Sequence, residues 1–64
     1  MKNNELALLL DSPIMDICKL ESLLTIWLEA EDNQEVANMI SISLDYTKNV
    51  RDALSHAVGS ENNV

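Results

Sequence analysis

The sequence predicts an all-α fold: an antiparallel hairpin of two helices, preceded by a short N-terminal helical turn, that dimerises into a four-helix bundle. Three observations predict it. Residues 36–58 carry apolar and small residues at Val36, Ile40, Ser43, Thr47, Val50, Leu54 and Ala57. That alternating spacing of four and three is the pattern of a helix lying against another helix. Residues 13–31 repeat the pattern at Ile17, Leu20, Leu24 and Trp27. Between them stand Asp32, Asn33, Gln34 and Glu35, a polar connection so short that the two helices must run side by side and antiparallel.

Taken in order, residues 1–4 are polar and have nothing to bury, so disorder is expected there. Leu6, Leu8, Leu9 and Leu10 follow. Leucine favours helix over strand, which predicts a short turn over residues 5–10, folded back across the open end of the bundle. Pro13 then disfavours helix at Ser12 but suits the first position of a new one, with Ser12 as its cap. The first long helix is expected to span residues 13–31. At the reversal, Asp32 and Glu35 have the spacing of a capping box, aspartate standing where serine is usual. The second helix is expected to stop at Gly59, leaving residues 60–64 disordered.

A second stripe on the second helix predicts the dimer. Met39, Ile42, Tyr46, Val50, Ala53 and Ala57 run beside the first seam. One neighbouring helix cannot cover both stripes, so these six residues are the candidate interface. Tyr46 suits such a place, with its ring buried and its hydroxyl in water. Chain length points the same way. In 64 residues, apolar burial barely offsets the roughly 1.5 kcal/mol of entropy lost per ordered residue. Small folds therefore lean on disulfides, metals or self-association. Cys18 is the single cysteine, which rules out an intrachain disulfide, suits a reducing cytoplasm and leaves self-association.

Charge and hydropathy narrow the function classes. Eleven acids against four bases give a net charge of −7, which opposes binding to nucleic acid or to anionic membrane surfaces. No apolar run reaches the 18 or so residues of a membrane span. Residues 6–10 are too short for a signal-peptide core and are flanked by Glu5 and Asp11. The expectation is a cytoplasmic protein.

Catalytic and metal chemistry find little support. Cys18 has only Lys19 beside it and no second cysteine at motif spacing, so it reads as a small hydrophobe. His56 lies one turn from Asp52, and two ligands make a weak metal site. Glu29, Glu31, Asp32 and Glu35 cluster at the reversal without the glycine and ligand spacing of a calcium loop. No nucleophile–base pair or glycine-rich phosphate loop is present. No catalytic residue, cofactor or metal is assigned.

These readings converge on a small non-enzymatic interaction module, an adaptor, regulator or chaperone-like protein of the kind found in bacteria and phages. It would act through an apolar helix face, as a homodimer or on a protein partner. The alternative is an acidic inhibitor of phage or mobile-element type that mimics nucleic acid and occupies a basic site.

Overall fold

Two long helices and a three-residue link make up the hairpin. The computed structural model describes the backbone of residues 3–62 and the side chains of residues 5–59. Of the disorder expected at 1–4 and 60–64, residues 1–2 and 63–64 lie outside the described residues, while the helices take in 3–4 and 60–62. Helix α1 spans Asn3–Ala30, and α2 spans Gln34–Asn62. They pack against each other as an antiparallel pair, with no strand among the described residues.

The first departure from expectation is at Pro13. No separate N-terminal turn exists: α1 runs continuously through Ser12 and Pro13. An interior proline leaves the carbonyl four residues back without its amide and costs about 3 kcal/mol in a helix interior. Two features make it tolerable here. Pro13 is exposed, so its ring does not crowd the contact with α2. The inward positions Leu10, Ile14 and Ile17 also keep their spacing of four and three across it. Breaking the helix would pull Leu6 and Leu10 off the neighbouring helix, and leucine burial contributes about 1.5–3 kcal/mol when complete. Packing outweighs the local preference.

The reversal is held by Asn33 and not by Asp32. The Asn33 carboxamide Oδ1 accepts from the backbone N–H of Glu35 at 2.9 Å and of Val36 at 3.2 Å. The Asn33 carbonyl accepts from Ala37 N–H at 2.9 Å, the first bond of α2. Asn33 is the residue immediately before the helix, so its short side chain reaches the free first-turn amides directly. Gly59 does not end α2 either. It continues the helix without a positive φ, and a Cβ placed there would meet open space.

The seam between the helices differs from the expected one by a single column, in both helices alike. On α1 the inward residues are Leu10, Ile14, Ile17, Glu21, Leu24 and Leu28; on α2 they are Ile40, Leu44, Thr47, Arg51, Leu54 and Val58. Ile17, Leu24, Ile40, Thr47 and Leu54 are where the periodicity put them. Leu20, Trp27 and Val50 face out instead, 42, 51 and 48% exposed, and Ser43 and Ala57 are exposed with them. Their places are taken by Glu21, Leu28, Leu44, Arg51 and Val58.

Burial along this seam is thin. Ile40 is the one apolar side chain below a tenth exposed among the described residues, with Thr47 beside it on the same column. Thr47 satisfies its hydroxyl by donating to the Leu44 carbonyl at 2.8 Å. The radius of gyration is 14.7 Å, against about 11 Å for a compact domain of this length. The accessible surface is 4783 Å², against about 4,100 Å² for a compact monomer of this mass. A single hairpin leaves much of its apolar surface in water.

Candidate interaction surface

Turning 100° per residue from the seam sorts the remaining side chains into two flanks on each helix. On α1 one flank carries Leu6, Leu9, Pro13, Asp16, Leu20, Leu23 and Trp27, the other Asp11, Cys18, Ser22, Thr25 and Glu29 together with the exposed Leu8 and Met15. On α2 one flank carries Val36, Met39, Ser43, Tyr46, Val50, Ala53 and Ala57, the other Asn38, Ser41, Asp45, Lys48, Asp52 and Ser55.

Helix handedness decides which flanks meet. In heptad terms the apolar flank of each helix occupies positions g and c, the polar one e and b. When two right-handed helices run antiparallel, g lies beside g and e beside e. The apolar flanks of α1 and α2 therefore share one side of the hairpin, and the polar flanks share the other. An open groove on the polar side agrees with this sorting. It is lined by Cys18, Glu21, Ser22, Thr25, Ile26 and Arg51, so a seam residue of α2 meets the Cys18–Thr25 flank of α1.

The apolar side is large and continuous. Leu9, Leu23, Met39 and Tyr46 are 60, 65, 59 and 68% exposed. From residue 6 to 30 on α1 and 36 to 58 on α2, Asp16 alone brings a charge to it. Of the six residues expected at the interface, Met39, Tyr46, Val50, Ala53 and Ala57 lie on this side and are exposed. Ile42 is exposed too but sits furthest round, toward the back of α2. The contribution of α1 was not anticipated. Its signal was present in the spacing of Leu6, Leu9, Leu20, Leu23 and Trp27, but Leu20 and Trp27 had been assigned to the seam.

Electrostatics concentrate at the seam and on the polar side. The Arg51 guanidinium donates through Nη1 to Glu21 Oε2 at 2.9 Å across the hairpin, and through Nη2 to the exposed Asp52 Oδ1 at 3.4 Å. The Glu21 side chain is only 16% exposed and Arg51 34%. The second Glu21 oxygen, Oε1, is buried and finds no hydrogen-bond partner among the described residues. A buried ion pair of this kind adds little net stability but makes the loss of either partner expensive. Ser22 and Thr25 donate their hydroxyls to the carbonyls of Cys18 and Glu21.

Other chemistry-bearing residues stay apart. Cys18 and His56 are exposed. Among the described residues, no three of the histidine, cysteine and carboxylate side chains come together as a metal site would need. No described helix is long and apolar enough to cross a membrane. No protein-family model, curated protein or solved structure gives a significant match to this chain.

Proposed function

We propose that the chain is a non-enzymatic interaction module that works through the apolar side of its hairpin and self-associates there into a four-helix bundle. One observation carries the reading: bulky apolar side chains from Met39 and Tyr46 to Leu23 are more than half exposed on one continuous side. Contiguous patches of this kind mark association surfaces. Stacking two hairpins would give each helix the second neighbour that its apolar stripes require. Cytoplasmic residence fits the lone exposed thiol of Cys18.

Light scattering tests the assembly. The expected mass is twice the 7.1 kDa of one chain. Tyr46→Glu should shift the protein toward monomer with loss of helical circular dichroism. A stable, well-folded wild-type monomer would overturn the bundle.

A second reading has its own observation. Asp11, Glu29, Asp45 and Asp52 are exposed on the polar side, as an acidic mimic bound to a basic site would present them. Salt separates the two. Capture of a partner that survives molar salt fits the apolar side, whereas capture abolished by modest salt fits charge mimicry.

A further inference from the structure

Two packing frames are open to this hairpin, and the one it adopts is the one that contains charges. Ile17, Leu24, Ile40, Thr47 and Leu54 belong to both frames. The adopted frame completes that shared column with Glu21, Leu28, Leu44 and Arg51; the other would complete it with Leu20, Trp27 and Val50. We infer that the ion pair of Glu21 and Arg51 selects the frame, holding the helices turned so that Leu20, Trp27 and Val50 stay outside.

The frames are neighbours in geometry. Successive residues stand 100° apart round a helix, so turning each helix by roughly 50° carries one frame into the other. The apolar flanks of α1 and α2 lie on the same side, so the two turns run in opposite senses and the shared column keeps the helices in contact. Burial outside that column is slight. Ile40 and Thr47, the two residues below a tenth exposed among those described, both belong to the shared column.

The frames are also close in apolar content. The adopted one gains Ile14 for Pro13, Leu44 for Ser43 and Val58 for Ala57, and exchanges Trp27 for Leu28, bulk for bulk. It loses at two positions, where Glu21 replaces Leu20 and Arg51 replaces Val50. Those two positions face each other, and Arg51 Nη1 donates to Glu21 Oε2 at 2.9 Å. The Glu21 side chain is largely buried, with Oε1 lacking any hydrogen-bond partner among the described residues. Without Arg51 this frame would hold a buried, unpaired carboxylate. The turned frame carries Glu21 to the polar side, into water, and brings in Leu20 and Val50. Loss of Arg51 therefore favours turning. A buried polar pair of small net stability can fix which packing wins, as a single polar core residue fixes register in coiled coils.

Thiol chemistry on the full chain tests it, in a Cys18→Ser background. Leu44 is half-buried in the adopted frame and turns onto the polar side in the other, away from any second copy on the apolar side. Adding Arg51→Met to Leu44→Cys is expected to raise its maleimide labelling rate about tenfold while helical circular dichroism is kept. Leu20→Cys with Val50→Cys separates turning from loosening. The turned frame sets these two positions face to face, so Arg51→Met should also speed their intrachain disulfide. Reversing the pair, Glu21→Arg with Arg51→Glu, should return both rates to those of the native pair. Unchanged rates overturn the proposal, and so does faster labelling without faster disulfide formation, which marks a loosened seam. Arg51→Gln repeats the comparison should Arg51→Met lose helicity. Unfolding of both would also overturn it, since the pair would then maintain the hairpin and not choose its frame.

Discussion

The two broad sides of this hairpin are built by the same two helices, yet they expose opposite chemistries. One side presents Leu9, Leu20, Leu23, Trp27, Met39, Tyr46 and Val50, with Asp16 as its one charge and Ser43 as a hydroxyl among them. The other presents mainly serines, threonine, amides and carboxylates with Lys48 and the edge of Arg51, beside the exposed Leu8 and Met15. The difference shows how one apolar repeat is divided. A single column of residues holds the helices to each other, and the next column round stays exposed. The polar side exposes fewer apolar side chains, Leu8 and Met15 of α1, and its seam edge holds the salt bridge between Glu21 and Arg51.

Charging the apolar side should have the largest effect. Leu23→Glu, on the α1 half, removes an apolar contact and places a carboxylate at the proposed junction. The expected cost is at least about 3 kcal/mol of association free energy. The dissociation constant should then rise more than about a hundredfold, as sedimentation equilibrium would measure. No change in mass distribution would remove α1 from the interface.

The seam edge on the polar side comes next. Arg51→Ala strands the Glu21 carboxylate, whose Oε1 already lacks a partner, and should destabilise the fold by about 2 kcal/mol in urea unfolding. That figure is below the 3–5 kcal/mol of fully buried pairs because Arg51 is a third exposed. Replacing both residues, Glu21→Leu with Arg51→Leu, should recover most of the loss or exceed wild type. A double variant no better than the single would mean that the pair contributes more than mutual neutralisation.

Asp16→Leu should act in the opposite sense to Leu23→Glu. It removes the one charge on the apolar side and should tighten self-association by about 1–2 kcal/mol, seen as a lower dissociation constant. The smallest effect is expected across the hairpin. Ser55→Glu, exposed on the polar side, should change neither mass nor stability by more than about 0.5 kcal/mol. A large effect there would mean that the polar side is also covered.

Much of the architecture was legible in order and period. Two helices, a tight polar reversal and a helix-facing seam all follow from the spacing of Ile17, Leu24, Ile40, Thr47 and Leu54, which the structure buries or half-buries. The frame was ambiguous because each helix has two adjacent apolar columns. Reading each helix alone, Glu21 and Arg51 disqualify the true seam, since a charge at a contact position looks like an outward residue. Only pairing admits them both. The same logic hid the α1 part of the candidate surface, because Leu20 and Trp27 were assigned to the seam.

What the sequence determined by itself was local and periodic: helix content, the point of reversal near Asn33, and an apolar surplus beyond what one hairpin can bury. These depend on propensity and spacing, which a single chain segment carries. The tertiary structure alone decided that α1 runs through Pro13, that Glu21 meets Arg51, and that both apolar flanks fall on one side. Each of these depends on the second helix. Continuous packing on α2 outweighs the lost proline amide bond, a buried carboxylate needs a cation from across the hairpin, and antiparallel handedness brings like flanks together.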